Sequence, residues 1–97
     1  MAYLTLARIG GDPDELLDRY EASAEVMSGV GRDHGLIFHA AAKTGEGLLI
    51  LNLWPSKDES EAAAGDVRRQ GELERWGLQP GDFRREHFEV ADYEVFG

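Results

Sequence analysis

Two apolar runs joined by a short glycine turn occupy the middle of the chain, between Gly35 and Ser56. The runs are Leu36 to Lys43 and Leu48 to Trp54, and the link from Thr44 to Gly47 is too short for a crossover connection. The pattern therefore predicts an antiparallel hairpin of two strands.

The second strand of this hairpin is apolar on both faces, because side chains alternate along a strand. Leu49, Leu51 and Leu53 point to one side, and the other side carries Leu48, Ile50, Asn52 and Trp54.

The register of the hairpin decides whether His39 faces Asn52. A turn centred on Gly45 pairs position 38 with position 52, whereas a slip of one residue pairs position 39 with position 52. The sequence leaves both registers open.

The first predicted helix follows a capping pattern at Asp12. Proline comes next and a glutamate stands three residues after the cap, which is typical of a helix start. Apolar residues then recur at intervals of three and four as far as Val30. We predict one continuous helix from Pro13 to Val30.

The second predicted helix starts near Lys57, because Ser56 and Glu59 repeat the capping pattern. Its apolar side is poor and glycines weaken it, so we predict a break near Gly71 and a further short turn over Glu72 to Gly77.

Two further strands complete the predicted fold. They run from Tyr3 to Ile9 and from Phe83 to Phe96, the latter with a bulge or bend near Ala91 where the apolar positions switch parity. The element order is that of a ferredoxin-like βαββαβ domain, with a four-stranded antiparallel sheet and two helices on one face. We predict a single α+β domain over residues 1–97.

The apolar second face of the sheet predicts a partner. In a monomer it would leave several large side chains in water, each forgoing about 1.5 to 3 kcal/mol of burial. A second copy of the sheet is the most economical cover, since symmetric dimers are the commonest soluble assemblies. We therefore expect a homodimer, and the alternative is a second face that is less apolar in context than strict alternation suggests.

Composition narrows the classes of function. The formal net charge of −9 disfavours nucleic acid and anionic membrane surfaces as partners. The absence of cysteine excludes disulfides and thiol chemistry. The start of the sequence lacks the pattern of a signal peptide, so we expect a cytoplasmic protein.

The element order and four segments of the chain together resemble the dimeric α/β-barrel superfamily, in particular its small bacterial members related to antibiotic biosynthesis monooxygenases and stress-responsive barrel proteins. The segments are GLIFHAAA at Gly35 to Ala42, the Gly47 turn, LNLWPS at Leu51 to Ser56 and HFEVADY at His87 to Tyr93. The resemblance covers nearly the whole chain. It implies a homodimeric barrel with a pocket in each subunit, either between the sheet and the helices or at the barrel mouth.

The resemblance also bears on cofactors. The monooxygenase-like members oxidise polycyclic aromatic substrates without a metal or a flavin, so we expect no cofactor. Haem-degrading relatives use an asparagine, a tryptophan and a histidine. Trp54 would match the tryptophan, but the first strand has no asparagine and the segment from Lys57 to Gln70 has no histidine. We therefore do not expect haem degradation.

Three polar or amphipathic side chains in the hairpin are the candidate ligand-binding residues: His39, Asn52 and Trp54. His39 is either a pocket acid, base or hydrogen-bond donor, or a core histidine satisfied by a backbone carbonyl or by a carboxylate across the sheet. Asn52 must find a hydrogen-bond partner in a ligand, the neighbouring backbone or the dimer mate. Trp54 is either a stacking wall for an aromatic ligand or a part of the core or interface.

The other two histidines do not indicate a metal-binding or catalytic site. We interpret His34 as a surface residue and His87 as part of a solvated strand edge or of a salt-bridge network, and no histidine spacing indicates a metal site. Two hypotheses follow: a homodimer that binds a small apolar or aromatic molecule, or a cofactor-independent monooxygenase acting on an aromatic substrate. No catalytic residue can be assigned from the sequence.

Overall fold

The fold is built on one four-stranded antiparallel sheet. The computed structural model describes the backbone of residues 1–97 and every side chain except that of Pro80. The strands of the sheet are β1 Ala2–Gly10, β2 Phe38–Lys43, β3 Gly47–Trp54 and β4 Phe83–Val90. They lie side by side in the order β2-β3-β1-β4. This confirms the predicted ferredoxin-like class and the antiparallel hairpin.

The hairpin adopts the slipped register. His39 pairs with Asn52, and Phe38 pairs with Leu53. The turn closes with a hydrogen bond from the amide of Thr44 to the carbonyl of Gly47 at 2.9 Å. A Cβ atom on Gly47, which has φ +159°, would lie 1.8 Å from the carbonyl oxygen of Ile9, so only glycine fits where the hairpin meets β1.

Each predicted helix is divided into two. The helices are α1 Pro13–Ala22, α2 Ala24–Asp33, α3 Lys57–Ala64 and α4 Val67–Trp76. The predicted caps are present, because Asp12 accepts from the amides of Asp14 and Glu15, and Ser56 accepts from the amide of Glu59.

The prediction of one continuous helix to Val30 is wrong, because the chain bends at Ser23. The Ser23 hydroxyl is buried, donates to Glu72 at 2.7 Å and accepts from the indole of Trp76 at 2.5 Å. This contact ties the bend to α4. It is a tertiary contact, and apolar periodicity does not report it.

The second helical region also breaks elsewhere than predicted. The break falls at Gly65 and Asp66, where the Asp66 carboxylate caps α4 by accepting from the amide of Arg68. Gly71 lies inside α4, and the turn predicted over Glu72 to Gly77 is instead the end of that helix.

The last strand is shorter than predicted. It ends at Val90, and residues 91–97 lie outside the sheet. Of the two predicted alternatives near Ala91, the structure has the bend, which follows the end of the strand, and it has no bulge within the strand.

The hydrophobic core includes two clusters, one at each end of the sheet. One contains Ile9, Leu16, Leu48 and Trp76, and the other contains Val30, Trp54 and Ala63. The space between these clusters holds the candidate site.

Among the described residues, no helix has the length and hydrophobicity that a membrane span requires.

Candidate functional site

A cavity of about 450 Å³ lies between the sheet and the helices. Its walls include members of both core clusters, such as Trp76 at one end and Trp54 and Val30 at the other. Small-molecule sites typically measure about 300 to 1,000 Å³ and have mostly apolar walls. The cavity thus has the size and composition of a ligand pocket.

All three candidate residues line this cavity. His39 on β2 and Asn52 and Trp54 on β3 share the face of the sheet that the helices cover. Strand pairing extends their row across the sheet, because Asn52 is opposite Thr5, and Thr5 is opposite His87 on β4. A row of four polar side chains therefore crosses the floor of the cavity.

His39 is held by two side chains. Its Nδ1 lies 2.6 Å from Oδ1 of Asn52, and its Nε2 is hydrogen-bonded to the hydroxyl of Tyr20 on α1. The amide oxygen can only accept, so Nδ1 donates to it, and in the neutral ring Nε2 then accepts from the tyrosine hydroxyl. The partners of His39 are therefore a side-chain amide and a phenol, and not the backbone carbonyl or the carboxylate expected of a core histidine.

Tyr20 connects this chain of hydrogen bonds to the apolar wall. Its ring stacks near His39 with a centroid separation of 5.7 Å and meets Trp76 edge-on at 5.8 Å. Burial raises the pKa of the Tyr20 hydroxyl above its ordinary value of 10.0. Tyr20 therefore stays protonated at neutral pH and can donate to His39.

Trp54 belongs both to the core and to the cavity wall. It is 6% exposed and packs with Val30 and Ala63, while its indole NH reaches the hydroxyl of Thr5 at 3.4 Å. Trp76 also lines the cavity, so both tryptophans of the chain border the same space. The indole rings of two tryptophans can pack against a flat apolar ligand.

Basic side chains form another part of the lining. Arg69 on α4 and Arg85 on β4 both border the cavity. The pKa of Arg69 is lowered by burial and, in second place, by the charge of Arg85. Arg85 also lies over the ring of Phe83, with its guanidinium carbon 5.1 Å from the ring centroid.

His34 is not the surface residue that we predicted. Its side chain is 21% exposed, and Nε2 lies 3.2 Å from Asp66 and Nδ1 lies 3.4 Å from Glu59. It joins the end of α2 to α3 and to the cap of α4, outside the cavity lining. Within the described residues, no group of three or more histidine, aspartate and glutamate side chains is placed to hold a metal ion.

Sequence reasoning missed Tyr20, Thr5, Arg69, Arg85 and His87 as cavity residues. Tyr20 lies in the helical stripe of apolar residues that ends at Val30, and this pattern gives no indication that its hydroxyl faces a cavity. The alternation along β4 places Phe83, Arg85 and His87 on one face, but only the register with β1 shows that this face is the cavity side.

Comparison with solved structures identifies the same architecture at low sequence identity. A provisionally assigned antibiotic biosynthesis monooxygenase from Chloroflexus aurantiacus superposes with a TM-score of 0.74 and 13% identity, over 100% of both chains. A dimeric ferredoxin-like protein of unknown function from Jannaschia gives 0.72 and 13%, over 93% of this chain and 100% of the other. This chain shares their ferredoxin-like fold. The predicted resemblance is thereby confirmed at the level of fold.

A third structure contains a ligand. The ActVA-Orf6 monooxygenase of Streptomyces coelicolor, in complex with nanaomycin D, superposes with a TM-score of 0.68 and 13% identity, over 99% of this chain and 92% of the other. No family model and no curated protein matches the sequence.

Proposed function

We propose that this chain forms a homodimer in which each subunit binds a small, mostly apolar or aromatic molecule in the cavity between sheet and helices. The observation that carries the proposal is the convergence of His39, Asn52 and Trp54 on one cavity of about 450 Å³. These three residues are the polar or amphipathic side chains of the apolar hairpin, and a structural role alone does not require all of them to line one cavity.

The cavity wall supports an aromatic ligand in particular. Trp54 and Trp76 present large flat surfaces, and the hydrogen-bonded pair of His39 and Asn52 supplies polar atoms between them. A few fixed polar groups on an apolar wall orient a ligand and make binding selective. The complex of the monooxygenase from Streptomyces coelicolor with nanaomycin D shows that this fold can hold a ligand.

The opposite face of the sheet supports the homodimer. One row across this face consists of Phe38, Leu53, Leu4 and Phe88, and the row beside it contains Ala40, Leu51 and Leu6. Phe38 is 49% exposed and Phe88 is 46% exposed in the single chain. A sheet from a second copy would cover this surface, as in the face-to-face packing of sheets at about 10 Å. The protein from Jannaschia with the same fold is dimeric, which supports a dimer for this chain.

Binding is tested by the fluorescence of the two tryptophans, because both border the cavity. Titration with a naphthol should quench this fluorescence to a saturable end point. Asn52→Ala should weaken binding, whereas Gln70→Ala, which removes an exposed amide of α4, should leave it unchanged. Absence of saturable quenching in the native protein would refute the binding function.

The second candidate function is a cofactor-independent oxygenase, and the chain of hydrogen bonds from Tyr20 through His39 to Asn52 favours it. In this hypothesis His39 is the proton-transfer group for a phenolic substrate, and Asn52 orients the substrate. A positioned histidine of this kind typically contributes about 10² to 10⁴ in rate.

Oxygen consumption separates the two functions. The oxygenase hypothesis predicts uptake of dissolved oxygen with polycyclic phenols, and a loss of roughly a hundredfold or more in kcat for His39→Gln. His34→Gln is the matched control, because His34 lies outside the cavity lining. Binding without oxygen uptake would leave the first function and eliminate the second.

A further inference from the structure

The charge of the cavity lining is opposite to that of the protein. Aspartate and glutamate make up 19 of the 97 residues, and the formal net charge is −9. Yet the lining contains Arg32, Arg69 and Arg85, and no aspartate or glutamate among the described residues. The charge of the lining is therefore opposite in sign to the net charge of the whole chain.

Two of these three arginines, Arg69 and Arg85, differ from most other basic residues of the chain in their partners. Arg8, Arg19, Arg68 and Arg75 each form an ion pair with a carboxylate. Among the described residues, Arg69 and Arg85 have no carboxylate partner. Arg69 donates a hydrogen bond to the carbonyl of Ala64 at 3.2 Å.

Their positions bring two positive charges to one space from different layers of the fold. Arg69 reaches the cavity from α4, and Arg85 reaches it from β4. Arginine keeps its charge in proteins, and the guanidinium group of the partly buried Arg69 and that of the exposed Arg85 repel each other. An anion between them would remove this repulsion and supply the missing acceptors.

We propose that the ligand of this cavity carries a carboxylate, which Arg69 binds from the helical layer and Arg85 from the sheet. The inference rests on the proposed binding function and names the class of molecule: an aromatic ring system with an acidic substituent. The ring system lies against the two tryptophans. The carboxylate accepts hydrogen bonds from the two planar guanidinium groups, whose geometry matches it.

The neighbouring acidic residue does not occupy this position. Glu61 borders an adjoining depression that also includes Arg85 and His87. Its carboxylate lies 3.9 Å from the ammonium group of Lys57 on the exposed side of α3. The arginine pair therefore remains available to a ligand.

Calorimetric titration with a naphthalene carboxylate and with its neutral primary amide tests the proposal. The native protein should bind the carboxylate at least about tenfold more tightly than the amide. Arg69→Gln and Arg85→Gln should each lower affinity for the carboxylate by roughly ten- to hundredfold and leave affinity for the amide about unchanged. Binding of the amide also shows that each variant is folded.

The matched control is Arg84→Gln, because alternation places Arg84 on the opposite face of β4. It should leave the affinity for both compounds unchanged. Equal affinity of the native protein for both compounds would overturn the carboxylate proposal and leave the binding function intact, and so would unchanged carboxylate affinity in the Arg69 and Arg85 variants. Failure of both compounds to bind would overturn the binding function and the carboxylate proposal together.

Discussion

Replacing Leu51 with aspartate should separate the proposed dimer into folded monomers. Leu51 stands in the middle of the apolar outer face of the sheet, between Ala40 on β2 and Leu6 on β1. It points away from the helices, so the substitution does not place a charge in the cavity or in the core of the subunit.

The expected magnitude follows from the symmetry of the interface. Burying one leucine side chain is worth about 1.5 to 3 kcal/mol. A two-fold interface contains the residue twice, so the loss is about 3 to 6 kcal/mol, and the desolvation of the two carboxylates adds to it. Each 1.4 kcal/mol is a factor of about ten, so the dissociation constant of the dimer should rise by roughly 10² to 10⁴.

Sedimentation equilibrium measures this change directly, since the chain mass is 10.7 kDa. The native protein should sediment at twice this mass and the Leu51→Asp protein at the chain mass, with unchanged circular dichroism. Val67→Asp is the control, because Val67 is 79% exposed on α4 and lies away from the outer face. A native protein that is monomeric, or a Leu51→Asp protein that remains dimeric, would refute the assignment of this face.

Three further predictions concern stability and titration. Gly47→Ala should destabilise the fold by about 3 kcal/mol or more in urea denaturation, because its Cβ would clash with the backbone of β1, whereas Gly45→Ala in the same turn meets nothing within 4 Å and should be nearly neutral. Ultraviolet titration should show one tyrosine ionising above pH 10.0, and Tyr20→Phe should remove that step; the stability linked to the raised pKa is present below pH 10.0 and is lost as pH rises through the folded value. Arg68 lowers the pKa of the Asp66 carboxyl below its ordinary 3.8, so this group stabilises the fold above that pH and loses its effect as pH falls below it. Asp66→Asn should remove that part of the acid dependence in urea denaturation, and an unchanged profile would contradict the assignment.

Local signals in the sequence were sufficient for much of the architecture. The hairpin and the caps at Asp12 and Ser56 depend on residues within a few positions of one another, and all of them are present. The helix bend at Ser23 was not predictable, because it is fixed by hydrogen bonds to Glu72 and Trp76, which are distant in sequence.

The candidate site was predictable only in part. His39 and Asn52 were conspicuous as polar residues in apolar strands. Whether they contact each other depends on the register of the hairpin. The turn sequence is compatible with two registers that differ by one residue. The sequence did not indicate that Arg69 and Arg85 line a cavity, because charged residues on a helix and on an edge strand normally face water. Only the three-dimensional arrangement shows that they share a cavity.

The central claim is that the cavity beside Asn52 is a ligand site, and a crystal structure of the protein soaked with a naphthol tests it most directly. The account predicts electron density for the rings against Trp54 and Trp76, with the hydroxyl within hydrogen-bond distance of His39 or Asn52. A well-ordered structure at saturating naphthol in which this cavity holds only water would contradict it.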